Sequence, residues 1–214
     1  MDEIRQSPEQ FLKEIKKEEQ SLNRGHLKIF FGYAAGVGKT YAMLKAAHAA
    51  KRHGIDVVAG YIEPHARPKT SALINGLECL PNLITKYNGI TLSEFNLDAA
   101  LSRHPQLILV DELAHTNASV CRHTKRYQDI QELLNAGIDV YTTVNVQHIE
   151  SLNDTVASIT GIMVHERIPD SVFDNANQVE LVDIEPQELI DRLHAGNVYN
   201  CLLYTSPSPR DPKT

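Results

Sequence analysis

The chain has 214 residues, 42% hydrophobic and 22% charged, a balance that suits one globular core with appendages rather than a disordered or fibrous protein. Its formal charge of −6 is spread along the sequence, which argues against a general nucleic-acid surface built from clustered Lys and Arg. Cys79, Cys121 and Cys201 share no C-x-x-C spacing, so neither a disulfide framework nor a zinc knuckle is expected, and a reducing cytoplasm fits best.

Residues 1–24 read as an N-terminal helical arm. Ser7, Pro8 and Gln10 give a helix-start signature, and Phe11, Leu12, Ile15 and Leu22 recur at helical spacing as a narrow apolar stripe that suits packing on the chain's own domain. The arm lacks the apolar core of a secretory signal, and no apolar run approaches the ~18 residues of a membrane span. From Leu27 onward strands and helices alternate. Leu27–Phe31 is a β-prone run ending at Gly32, followed by a glycine loop and an Ala-rich helix from Lys39 to His53. Val57–Ile62 is the next strand, Glu63–Pro68 a polar loop, and Ser71–Leu77 and Asn96–His104 are helices. Gln106–Val110 (strand), Tyr127–Ala136 (helix), Asp139–Val146 (strand), Gln147–Thr160 (helix), Gln178–Asp183 (strand) and Gln187–His194 (helix) complete the pattern. Such alternation predicts an α/β fold in residues 25–200, a mostly parallel sheet with helices on both faces and right-handed crossovers. From Cys201 the text CLLYTSPSPRD resembles an in-frame translation of a sequencing adapter, so residues 201–214 are expected to be a non-native tail, with the genuine protein continuing past Asn200.

The chemistry concentrates at two strand ends. Ala35-Gly36-Val37-Gly38-Lys39-Thr40 lies between an apolar strand and a helix, the context of a phosphate-binding P-loop, although the pattern G-x-x-x-x-G-K-[ST] finds Tyr33 where its first glycine belongs and Gly32 one place earlier. Gly36 and Gly38 let backbone N–H groups turn towards phosphate oxygens, and Lys39 is expected to reach the β- and γ-phosphates. Thr40 is expected to ligate magnesium. Leu107–Val110 ends in Asp111-Glu112, a Walker B-like arrangement in which Asp111 serves the metal and Glu112 is a candidate base for an attacking water. Asn145-Val146-Gln147-His148 lacks the Lys and Asp of a guanine-reading N-K-x-D, which makes ATP the expected nucleotide; Asn145 or Gln147 is either a γ-phosphate sensor or a plain strand-end cap. The run Arg122-His123-Thr124-Lys125-Arg126 is a solvated basic loop or the source of an arginine finger. None of the ten histidines forms a convincing metal pair, and His165-Glu166-Arg167-Ile168-Pro169 has neither the proline spacing nor the helical setting of a phosphoacceptor box.

Several longer motifs go beyond a generic nucleotide site. Ala35–Thr40, Gly60-Tyr61-Ile62-Glu63 with His65 and Arg67, the run from Asp111 to Asn117 (DELAHTN), Lys125–Asp129 (KRYQD) and Tyr141–Asp154 (YTTVNVQHIESLND) together resemble the KdpD family, the osmosensitive potassium-channel sensor histidine kinases of bacteria. The resemblance covers Gly25 to about Tyr199, and the displaced first glycine is usual in that family. One stretch departs from it: Ser119-Val120-Cys121 stands where the family has Pro-Gly-Ser. The resemblance implies a cytoplasmic, regulatory ATP-binding domain that shifts the balance of kinase and phosphatase activity. In the family this domain precedes a universal-stress-protein-like domain, membrane helices of the bacterial inner membrane and a kinase core that phosphorylates a response regulator. These are the implied partners; nucleic acid is not among them. Two other readings stay open: a self-contained P-loop ATPase or small-molecule kinase using Glu112, and an interaction module acting through the N-terminal arm.

Overall fold

The computed structural model describes residues 23–63, 68–87 and 90–195. The expected arm helix before Leu22, the tail from Cys201, and His65 and Arg67 lie outside the described residues. In chain order the elements are β1 (Leu27–Gly32), α1 (Lys39–Arg52), β2 (Val57–Tyr61), α2 (Pro68–Ile74), β3 (Glu78–Cys79), β4 (Leu83–Tyr87), β5 (Ile90–Glu94) and α3 (Leu97–Arg103), then β6 (Leu107–Val110), α4 (Arg126–Asn135), β7 (Asp139–Asn145), a 3-10 turn (Val146–His148), α5 (Glu150–Thr160), α6 (Asp170–Asp174), β8 (Gln178–Leu181) and α7 (Pro186–His194).

Six strands form one parallel sheet in the order β3-β2-β6-β7-β1-β8. Side chains alternate across it as a strand period of two requires. On β6, Ile108 and Val110 join a core with Ile29, Val140 and the α4 residues Ile130, Leu133 and Leu134, whereas Leu107 and Leu109 join Phe30 and the α1 residues Met43, Leu44 and Ala47. Helices therefore cover both faces, and the expected α/β class is the observed one. The spacing of Met43, Leu44 and Ala47 puts one stripe of α1 on the sheet, and full burial of a Met or Leu side chain contributes roughly 1.5–3 kcal/mol.

Two expectations need correction. Residues 147–160 do not make one helix: Ile149 is extended (φ −80°, ψ 126°) and bridges to Ile168, so the chain makes a 3-10 turn and begins α5 only at Glu150. The segment between Leu77 and Asn96, left without elements in the sequence reading, holds β3 and an antiparallel hairpin, β4 with β5, which stands apart from the main sheet.

Register carries the fold to the site. In the β1–β7 pair Gly32 lies opposite Asn145, and in the β6–β7 pair Val110 lies opposite Thr142, which brings Asp111 level with Thr143. The glycine loop and the Asp111-Glu112 pair thus flank the carboxyl end of β7. Crevices at the carboxyl ends of parallel strands are where open α/β sheets bind ligands.

Candidate functional site

Gly32 closes β1 because nothing larger fits. A Cβ there would lie 2.8 Å from Val37 Cγ2 and 2.9 Å from the Val182 carbonyl oxygen. The neighbouring Tyr33 is 54% exposed, so the position that broke the expected pattern makes no demand for glycine. Gly36 and Gly38 adopt φ of 90° and 108°, a left-handed conformation that a residue with a Cβ enters only at a cost of about 1–2 kcal/mol. Gly38 is the N-cap of α1, so Lys39 and Thr40 occupy the first helical turn, where backbone N–H groups point out of the helix end. Lys39 is buried, and among its contacts Nζ donates to the Ala34 carbonyl at 2.8 Å, folding the side chain back over the loop.

Across the crevice, Asp111 is 1% exposed at the end of β6. Thr40 Oγ1 donates to its Oδ2 at 3.0 Å, Thr143 Oγ1 donates to its Oδ1, and the Glu112 N–H lies 3.2 Å from both Asp111 Oδ1 and Thr143 Oγ1. A hydroxyl from each neighbouring element therefore fixes one carboxylate oxygen. Glu112 stands at φ 60°, the left-handed region, which turns its 40%-exposed side chain to the cleft. Partial burial, with Glu63 and Asp111 close by, pushes its carboxyl up to about 8 in spite of Arg126.

Beneath the two acids lies a buried polar cluster. Arg126, at the start of α4, is 0% exposed: its Nη1 donates to the Asp111 carbonyl at 3.1 Å, its Nη2 to Glu94 Oε2 at 3.3 Å, and its guanidinium carbon sits 4.1 Å from the centre of the Tyr61 ring. His115 Nε2 is 2.9 Å from the same Glu94 oxygen. Burial and the hydrogen bond donated to Glu63 Oε2 hold the Tyr61 hydroxyl well above its ordinary range. Farther along, Asn117 Nδ2 donates to Asp129 Oδ2 at 2.6 Å and to the His123 carbonyl at 3.0 Å, and burial pushes the Asp129 carboxyl up to about 6. These contacts correct the reading of residues 122–126 as a solvated loop at Arg126; Arg122 and Thr124 remain exposed. Arg126 is core, while Arg122 is held by Asp98 and Glu132, and His123 pairs with Glu132 at 2.7 Å.

The cleft between the glycine loop and Asp111 has a volume of about 240 Å³, and Asn145, Gln147, His148 and Glu166 form its far wall. Asn153, 1% exposed on α5, donates from Nδ2 to the carbonyls of Gln147 (2.7 Å) and Val164 (3.1 Å) and so pins the 3-10 turn in place. His148 Nδ1 donates to the Glu166 carbonyl at 2.7 Å, and burial lowers its pKa, favouring the neutral ring. The Asn145 side-chain oxygen is buried and has no hydrogen-bond partner among the described residues.

All the sequence-selected residues, Ala35, Gly36, Val37, Gly38, Lys39, Thr40, Asp111 and Glu112, come together here, with Val37 tucked beneath the loop at 3% exposure and the rest lining the cleft. Sequence reasoning gave no role to Thr143, Asn153 or Arg192, and it placed Arg126 in a basic loop rather than in the core. Thr143 was detectable, since Thr142-Thr143 separates the apolar Val140-Tyr141 from Val144 near the carboxyl end of the strand. Arg192 was not: its Nη1 donates to the Gly36 carbonyl at 3.0 Å across 156 positions of sequence.

Comparison with known proteins bears on what this arrangement is. A family model described as the osmosensitive K+ channel His kinase sensor domain (KdpD) matches residues 23–204. The Sensor protein KdpD of Clostridium acetobutylicum is 62% identical over 195 residues, covering 91% of this chain and 22% of its own length. That of Escherichia coli K12 is 53% identical, covering 92% of this chain and 22% of its own, and that of Mycobacterium tuberculosis H37Rv is 52% identical, covering 85% and 21%. The chain thus spans about a fifth of the length of these curated relatives. Among the described residues no helix is long and apolar enough to cross a membrane. The chain belongs to the KdpD family, and it matches that family's sensor domain over residues 23–204.

Proposed function

We propose that this domain binds ATP with magnesium at the Gly36–Thr40 loop and uses that occupancy to regulate the sensor histidine kinase of which it forms part. In this reading the domain lies on the cytoplasmic face of the bacterial inner membrane. It shifts the balance of kinase and phosphatase activity towards a response regulator under potassium limitation or osmotic stress. Its direct partners are the stress-protein-like domain, membrane helices and kinase core of the parent protein.

The observation that carries the ligand is the convergence of three unlike groups at one crevice: Lys39 on the loop, the Thr40 hydroxyl, and Asp111 Oδ2 at 3.0 Å from it. A cation, a hydroxyl and a carboxylate beside a helix N-terminus match what a metal-bound polyphosphate needs. The donor set fits: Thr40 and Asp111 are hard oxygen ligands suited to magnesium, and the unpartnered Asn145 oxygen offers a further acceptor on the wall. Magnesium, when bound, supplies charge neutralisation at the phosphates. The chain's own residues orient the nucleotide through loop N–H groups, place the Lys39 ammonium, and hold the Asp111 carboxylate through Thr143 and its backbone through the Arg126 contact to its carbonyl.

Equilibrium binding of a fluorescent ATP analogue tests the metal's part. Chelation with EDTA is expected to weaken binding by about tenfold or more, because Asp111 would otherwise face phosphate as an uncompensated anion. Affinity unchanged by EDTA would remove Thr40 and Asp111 from a metal role.

Glu112 supports a second reading, an ATPase, because its side chain lines the cleft next to Asp111. The regulatory reading predicts phosphate release that is slow or absent and indifferent to Glu112→Gln. Multiple-turnover release abolished by that substitution would favour the ATPase.

A further inference from the structure

We infer that Arg192 is a positioning residue of the glycine loop, a latch through which helix α7 orients the loop for phosphate and registers whether it is occupied. The inference rests on the nucleotide reading for its ligand and goes beyond it in assigning a second element, far along the chain, to the regulation of the site.

Arg192 Nη1 donates to the Gly36 carbonyl at 3.0 Å, and a Cβ placed on Gly38 would lie 3.8 Å from that same nitrogen. The guanidinium therefore lies along the loop from Gly36 to Gly38. In a trans peptide the carbonyl of one residue and the N–H of the next point in opposite directions. Holding the Gly36 oxygen towards α7 consequently turns the Val37 N–H the other way and restricts a segment whose glycines otherwise leave it free. Arg192 also brings a permanent positive charge to a loop proposed to receive polyphosphate. Its second nitrogen, Nη2, pairs with Glu188 one helical turn earlier, which braces the guanidinium in this orientation.

The chain leading into α7 meets the loop at a second point. The Val182 N–H donates to the Phe31 carbonyl at 2.7 Å, and the Val182 carbonyl backs onto Gly32 so closely that a Cβ there would approach it to 2.9 Å. Residues 182 and 192 thus hold the base and the turn of the loop. Among the described residues α7 is lightly held apart from these ties: none of its own residues is buried, and its Ile190 is 42% exposed. An element held by few contacts responds to small changes in one of them. Nucleotide that fixes the loop strengthens the latch and orders α7, and by reciprocity loss of the latch weakens nucleotide binding by the same factor.

Hydrogen–deuterium exchange on the full chain, with and without magnesium and ATP, tests this. In the wild type, ATP is expected to slow exchange in the loop around residues 36–40 and in Pro186–His194 together. In Arg192→Met the loop is expected to remain protected by ATP while α7 no longer responds, with affinity reduced about three- to tenfold. Arg192→Lys, which keeps a cationic donor, is expected to restore part of both effects. Loop protection without any response of α7 in the wild type would overturn the latch, and so would an Arg192→Met variant with wild-type affinity and wild-type α7 response. Failure of ATP to bind or to protect even the loop would instead overturn the nucleotide reading, and the latch with it.

Discussion

Arg126→Met is expected to destabilise the domain by about 3–5 kcal/mol, the cost of stripping one partner from a buried ionic cluster. The guanidinium is wholly enclosed, and it serves three neighbours at once: the Glu94 carboxylate, the Asp111 carbonyl and the face of Tyr61. Methionine fills similar volume but takes a fixed cation from beside Glu94, whose contacts to His115 and to the Ala118 N–H are of a different kind. Against a typical total stability of about 5–15 kcal/mol, a loss of that size brings the domain close to unfolding at ordinary temperature. Urea denaturation followed by circular dichroism measures it. The double variant Glu94→Gln/Arg126→Met, which removes both charges of the pair, is expected to recover about half of the loss, as coupled neighbours do not add. A loss under about 1 kcal/mol in the single variant would mean that the cluster contributes little to holding β6 and α4 together.

The same residue shows how sequence reading reaches its limit. Five consecutive polar and basic residues at 122–126 have the composition of a solvated loop, yet the chain turns inward at Arg126 to start α4, and only the packed fold supplies Glu94 and Tyr61 to receive it. Local signals were otherwise strong where a strand or helix faces the core on its own sequence pattern. The helix expected over Lys39–His53 is α1 at Lys39–Arg52, and the strand expected over Asp139–Val146 is β7 at Asp139–Asn145. The β4–β5 hairpin was missed although Asn88-Gly89, a pair favoured in tight hairpin turns, stands between its strands. Its apolar residues Ile84 and Ile90 are 61% and 45% exposed, so the pattern that betrays a buried strand is weak there.

The candidate site was more legible than its surroundings. Gly36 and Gly38 are dictated by backbone conformation, and Lys39, Thr40 and Asp111 fall in short motifs whose spacing can be read directly. Thr143, Asn153 and Arg192 act on those residues from a distance, through Asp111 Oδ1, the Gln147 carbonyl and the Gly36 carbonyl. Their roles follow from strand register and helix placement, which no local spacing records.

Lys39→Ala is the second change with a large expected effect. Lys39 occupies the first turn of α1, is buried in the cleft and reaches back to the Ala34 carbonyl at 2.8 Å; in the proposed nucleotide reading it meets the charge of the polyphosphate. Its removal deletes a charge-assisted contact in a partly dehydrated site, and affinity for ATP is expected to fall by about a hundredfold or more, roughly 3 kcal/mol. Alanine is the best helix former, so α1 and its packing of Met43, Leu44 and Ala47 are expected to persist, with an unchanged far-ultraviolet circular dichroism spectrum.

Isothermal titration calorimetry of magnesium and ATP into the wild-type chain and into Lys39→Ala tests the account most directly. Saturable binding to one site in the wild type, lost in the folded variant, is the predicted result; a wild type that takes up no ATP, or a variant that binds it equally well, would contradict it.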